Sequence, residues 1–263
     1  MAQPRALVVR SAGTNCDAET AFVFESCGAQ STIVPLQPFL ERPAMLRDYQ
    51  ILAIPGGFSY GDDILAGKVM GLELAQLAGP EVVKLVERGG IAIGICNGFQ
   101  VLVQMGLLPG IAAPFGQPET TLTDNDVNRY QDRWVHLRVV TDRCVFLEKG
   151  ERLFVPMAHG EGKLVPRDEA MRKRLFADER VALRYVAPDG SDDPPFPWNP
   201  NGAVDSVAGL IDRTGRILGL MPHPERYAFP RQHSHWTRLK PLPEEGVGLQ
   251  IFKNAVRHAA QMN

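Results

Sequence analysis

The sequence predicts an α/β protein: a flavodoxin-like, mostly parallel sheet with helices on both faces and a nucleophile elbow at Cys96. Three observations carry that expectation. Short apolar runs at 6–9, 31–34, 50–54 and 91–95 alternate with helical stretches at βαβ spacing. The run Ile91-Ala92-Ile93-Gly94-Ile95 follows Gly89-Gly90 and has the composition of a strand covered on both faces. It then passes through Cys96-Asn97-Gly98 directly into a helical stretch, 99–105, which is the strand–nucleophile–helix layout of an elbow.

Each element follows from local pattern. The strand at 6–9 runs into the small and polar Ser11-Ala12-Gly13-Thr14-Asn15-Cys16, and Asp17 reads as the cap of a helix that Gly28 ends. The strand at 50–54 ends at Pro55-Gly56-Gly57, and 67–77 and 80–88 read as helices. Ligands of such sheets bind beyond the carboxyl ends of the strands, so the loops after Val9, after Ile54 and at Cys96 share one edge. In the second half, 134–140 alternates like a half-exposed strand, and the charged stretch 167–178 reads as a helix. A strand pair, 204–211 and 216–220, turns at Asp212-Arg213-Thr214-Gly215, and 247–260 closes the chain as an amphipathic helix. With no repeat and no clear linker, 1–263 reads as one domain. The stretches near 168–200 and 229–246, rich in Pro and charge, read as insertions.

Composition narrows the function. A formal charge of −2 over 263 residues gives no electrostatic basis for binding nucleic acid. Cys16, Cys27, Cys96 and Cys144 show no paired spacing, so a disulfide framework is excluded. No Cys/His cluster has zinc spacing, and His233-Ser234-His235 lacks a third ligand nearby, so no metal is expected. The Gly-Lys pairs at Gly67-Lys68 and Gly162-Lys163 lack the Ser/Thr and the upstream Gly of a phosphate loop, so no cofactor or ATP site is expected in this chain. No apolar stretch approaches the ~20 residues that span a bilayer. Met1-Ala2-Gln3-Pro4-Arg5 leads straight into a strand, and the expected location is the cytoplasm.

The chemistry points to a thiol nucleophile. The elbow places Cys96 at a helix N-terminus, where the dipole and free N–H groups favour the thiolate. A lone Cys is more often a buried core residue. The bracket of Gly94 and Gly98 and the strand-to-helix position reverse that reading. A nucleophile needs a base and a group to orient it. His223 and Glu225 supply both, two residues apart on a proline-flanked segment expected to be extended, with both side chains on one side. Backbone N–H groups at Gly57 and Asn97 are candidates for an oxyanion hole. His159, between a strand and Gly160, reads either as a hydrogen-bonded turn residue or as part of a partner interface.

These segments resemble the class I (triad) glutamine amidotransferases. The match runs in order through Gly13-Thr14-Asn15-Cys16-Asp17, Pro55-Gly56-Gly57-Phe58-Ser59-Tyr60-Gly61-Asp62, the elbow with Phe99-Gln100, His159-Gly160-Glu161-Gly162, Asn199-Pro200-Asn201-Gly202 and Met221-Pro222-His223-Pro224-Glu225-Arg226. Leu65 departs from it, standing where many members carry Arg. The resemblance implies Cys96 as nucleophile, His223 as general base and acid and Glu225 as its orienter. It implies oxyanion donors at Gly57 and Asn97, and Gln100 beside the bound L-glutamine. Gly-Phe-Ser-Tyr-Gly-Asp and Asn-Gly-Phe-Gln narrow it to a branch that passes ammonia to an ATP- and magnesium-using synthetase subunit of purine biosynthesis, with a small third subunit as a further partner. The alternatives are an amidotransferase serving another synthetase, a cysteine hydrolase or chaperone on a related fold, and a binding module without catalysis.

Overall fold

The computed structural model describes residues 3–111 and 118–262, so Met1 and Ala2 lie outside it. A nine-stranded sheet runs through the molecule. One half is parallel and is built from β1 (Arg5–Arg10), β2 (Gln30–Pro35), β3 (Ile51–Ile54), β4 (Ile91–Ile95) and β11 (Ile217–Leu220), in the order β2-β1-β3-β4-β11. This is the flavodoxin order, and the expected fold class holds. β3 and β4 are buried at every position, as continuous apolar strands must be when helices cover both faces. Those helices are α1 (Asp17–Ser26), the short α2 (Leu36–Glu41), α3 (Lys68–Leu77), α4 (Gly79–Glu87) and α5 (Asn97–Gln104). The closing helix α7 (Leu249–Ala259) sets Phe252 edge-on against Phe24 of α1, with ring centroids 5.0 Å apart.

Beyond β11 the sheet continues antiparallel through β10 (Val207–Ile211), β9 (Val181–Val186), β6 (Gln131–Val139) and β7 (Arg152–His159). A small second sheet, β5 (Thr120–Thr123) with β8 (Lys163–Pro166), was not expected.

Three stretches show what local pattern did not. The stretch 168–200 supplies the expected helix, α6 (Glu169–Ala177), and also β9, which pairs with β10 on one side and β6 on the other. The stretch 229–246 contains two 3-10 turns and lays His233 against Trp134 and Phe154, with centroids 5.1 and 5.5 Å apart. Asp17 is not a cap. Cys16 holds that position without a side-chain cap, and Asp17 starts the helix, 3.4 Å from Arg10.

The loops after β1, β3, β4 and β11 meet at one edge. Thr14 and Gly57 form an isolated bridge, the Phe58 N–H donates to the Gly13 carbonyl at 2.9 Å, and the Cys16 N–H donates to the Gly56 carbonyl at 3.2 Å. The Cys96 N–H donates to the Leu220 carbonyl at 2.8 Å, tying the end of β4 to the end of β11.

Candidate active site

Cys96 occupies the single residue between β4 and α5, with φ 52° and ψ −107°. A non-glycine residue holds such a conformation only where its surroundings enforce it. Here they do, because the strand must reverse into the helix within one residue. The turn also requires its glycines. A Cβ on Gly98 would lie 1.8 Å from the Ile54 carbonyl oxygen, and one on Gly94 would lie 2.4 Å from the Gly98 oxygen. Both partners are backbone and cannot swing aside. Gly98→Ala is therefore expected to destabilise the fold by at least the ~1–3 kcal/mol typical of overpacking. An unchanged urea midpoint would show that α5 shifts freely, against this packing.

Gly56 packs against the centre of the site, where a side chain would crowd its neighbours. A Cβ there would sit 2.8 Å from His223 Cε1, 3.1 Å from Cys16 Sγ and 3.4 Å from Cys96 Cβ. The nucleophile candidate, the imidazole and a second cysteine thus surround one point. The Cys96 thiol donates to the Ala158 carbonyl at 3.7 Å, and the residue is buried.

His223 and Glu225 lie just beyond β11, but their segment is not extended. Pro224–Arg226 forms one 3-10 turn. The turn still brings the carboxylate back to the ring, and His223 Nδ1 donates to Glu225 Oε1 at 2.6 Å. Both side chains are buried. The His223 N–H donates to the Pro156 carbonyl at 2.7 Å, which fixes the segment against β7. Burial opposes an imidazolium, but the Glu225 carboxylate and the sulfurs of Cys96 and Cys16 outweigh it, and the His223 pKa stands well above its ordinary value.

The other site residues form a brace. The Asn97 side chain accepts from the Ser59 N–H at 3.2 Å and donates to Asp62 at 3.2 Å and to Gln100 Oε1 at 3.0 Å. Gln100 Nε2 donates to the Glu161 carbonyl, so its amide fastens the β7–β8 loop to the elbow helix. Glu161 in turn accepts from the Ala66 N–H at 3.1 Å. Burial and the nearby Glu161 carboxylate push Asp62 up to about 6. The Asn97 N–H belongs to the first turn of α5, where N–H groups lack partners within the helix. Gly57, at φ 144°, passes close to Gly13 and Thr14. His159 is only 3% exposed and neither ring nitrogen has a hydrogen-bond partner. Its ring is therefore held by packing and not as a hydrogen-bonded turn residue. Burial, with His223 nearby, pushes its pKa down to about 3.

Comparison with known proteins decides between the chemistries open to such a site. Residues 3–259 match the CobB/CobQ-like glutamine amidotransferase domain.

The chain belongs to this glutamine amidotransferase family.

The amidotransferase is 43% identical over 263 residues to the phosphoribosylformylglycinamidine synthase subunit PurQ of Dehalococcoides mccartyi, with all of both chains covered. It is 35% identical to the subunit of the same name from Methanococcus maripaludis, covering 97% of each chain. Among solved structures it is similar to a chain in PurLQS from Thermotoga maritima, with a TM-score of 0.72 and 32% identity over 97% of this chain and 99% of that one. A cysteine hydrolase or chaperone on a related fold is thereby set aside.

One residue of the amidotransferase escaped the sequence reading. Cys16 lies in a segment quoted above for its likeness to the family, yet no chemistry attached to it. In the structure it is 1% exposed, accepts from Arg226 Nη2 at 3.0 Å and donates to Asn15 Oδ1 at 3.1 Å. Arg226 also pairs with Glu19 at 2.8 Å. The signal that would have found Cys16 is the bridge between Thr14 and Gly57, which depends on tertiary contact.

Proposed function

We propose that this chain is the glutaminase subunit of a phosphoribosylformylglycinamidine synthase, hydrolysing L-glutamine at Cys96 and passing ammonia to a separate synthetase subunit. The observation that supports the chemistry most directly is the juxtaposition of a strained Cys96 at the end of β4 with a buried His223–Glu225 pair at the end of the adjacent β11. Two full-length relatives carry the subunit's name, and the similar solved chain comes from an assembly named PurLQS. The synthetase subunit and a small third subunit are the partners in this reading. ATP and magnesium belong to the synthetase, and no cofactor is assigned to this chain. Among the described residues no helix is long and apolar enough to cross a membrane, which suits a cytoplasmic biosynthetic enzyme.

In this mechanism His223 takes the proton of the Cys96 thiol, and the sulfur attacks the carboxamide carbon. The oxyanion takes hydrogen bonds from the backbone N–H groups of Gly57 and Asn97. His223 gives its proton to the leaving nitrogen, ammonia departs, and a glutamyl thioester remains on Cys96. The neutral His223 then takes a proton from water, hydroxide attacks the thioester, and glutamate leaves as the thiol is restored. Glu225 holds Nδ1 throughout and stabilises the imidazolium.

A glutamine-like diazo ketone tests the assignment in a protein with two thiols beside one imidazole. The label is expected on Cys96, because only this thiol sits at the elbow beside the N–H groups that polarise a carbonyl. Peptide mass mapping reads the result. Label on Cys16 instead would overturn the assignment of the nucleophile.

A further inference from the structure

Cys16, His223 and Glu225 are drawn from two distant parts of the chain, yet one ligand atom of each lies within 4.8 Å of the others. All three residues are buried. One of them also holds a polar atom without a partner: Glu225 Oε2 makes no hydrogen bond. A buried carboxylate oxygen without a donor is costly, and a cation removes that cost. We propose that Cys16, His223 and Glu225 form a binding site for a thiophilic divalent cation of the zinc type.

The chemistry of the donor set supports this. Sulfur, imidazole nitrogen and carboxylate oxygen are the three donor types that zinc takes from proteins. Zinc–ligand bonds of about 2.0–2.3 Å place tetrahedral ligands roughly 3.5 Å apart, so small side-chain movements convert the present cluster into a coordination shell. The His223–Glu225 contact, now 2.6 Å, opens to admit the ion. The Cys16 thiol proton and the His223 Nδ1 proton both leave to solvent, and the imidazole binds through Nδ1 in its neutral form. The charges also balance. Thiolate, Glu225 and Glu19 carry three negative charges, and Arg226, beside both Cys16 and Glu19, offsets one of them. A divalent ion neutralises the remainder.

Capture of His223 by the cation withdraws it from proton transfer. If His223 is the base proposed above, the ion silences glutamine hydrolysis and a chelator restores it. Binding itself does not rest on that reading and is measured separately. Cys96 is not a ligand, which distinguishes this site from nonspecific capture of a metal by a reactive thiol.

The test is equilibrium binding to the full-length chain, with zinc competed against a chromogenic chelator and cobalt(II) followed by its thiolate charge-transfer absorption. Wild type and Cys96→Ala are expected to bind one ion with the thiolate band present. Cys16→Ser is expected to lose the band and at least about tenfold in zinc affinity. Glu225→Gln should show a similar loss of affinity with the band retained. Glu225→Gln also keeps the test decisive should Cys16→Ser fail to fold. Unchanged affinity in either folded variant, or a thiolate band lost only in Cys96→Ala, overturns the site. Normal zinc binding with no effect on glutamine hydrolysis would keep the site and count against His223 as the base.

Discussion

In a complex reconstituted with the synthetase subunits, Cys96→Ala is expected to make no product from glutamine and to make it at near wild-type rate from ammonium salt. The variant should fold. The side chain makes one weak hydrogen bond, at 3.7 Å to the Ala158 carbonyl, and the turn is held by backbone contacts and the flanking glycines. Removing the sulfur removes the only elbow nucleophile, so no thioester forms. Added ammonia enters the reaction after that step and needs nothing from Cys96. The isolated wild-type chain should hydrolyse glutamine slowly, because uncoupled hydrolysis loses ammonia to solvent. Assays with each nitrogen source, with and without the partner subunits, separate these outcomes. An assembled variant that fails with ammonia would show that Cys96 does more than release it. A full glutaminase rate without partners would exclude control by assembly.

His223→Ala should lower glutamine turnover by at least the ~10²–10⁴ that general acid–base catalysis contributes. Glu225→Gln should cost less, because an amide oxygen can still accept from Nδ1, but it should also move the pH profile. The carboxylate helps hold the His223 pKa above its ordinary value. Neutralising it lowers that pKa, so the limb of the rate profile that reports His223 is expected to shift to lower pH. A pH series on wild type and variant, in the complex, measures both effects. Wild-type turnover in His223→Ala would remove it from the mechanism, and an unshifted limb in an active Glu225→Gln would assign the profile to another group.

The parallel half of the sheet was readable because each strand is a short apolar run bounded by turn residues. β9 was not. Arg184 interrupts its apolar sequence, and the Pro- and Asp-rich stretch beyond it reads as loop. The structure absorbs the charge by pairing Arg184 with Asp192 and Asp193 and letting it donate to the Asp205 carbonyl at 2.8 Å. β5 and β8 are only four residues each and carry too little pattern to distinguish. In the site, Cys96, His223 and Glu225 were legible because each lies in a compact local motif. The shape of the His223–Glu225 turn was not, since the φ that Pro224 fixes suits both extended and 3-10 backbone. The anchoring of Gln100 by Asn97 and by the Glu161 carbonyl, and the approach of Cys16 to His223, join segments far apart in sequence. Nothing in local spacing encodes them.

The parallel pairing of β4 with β11, which sets Ile95 opposite Leu220, joins two halves of the site that are translated at different times. A growing polypeptide leaves the ribosome from its amino end. Cys96 therefore emerges before His223, the base proposed above, has been translated. β11 lies between β4 and β10 in the sheet, so the later strands reach their places only when it docks, and that same docking delivers His223. Nascent chains and fragments truncated before β11 carry the thiol without the imidazole. With the roles proposed above, the site is assembled only by the event that completes the sheet.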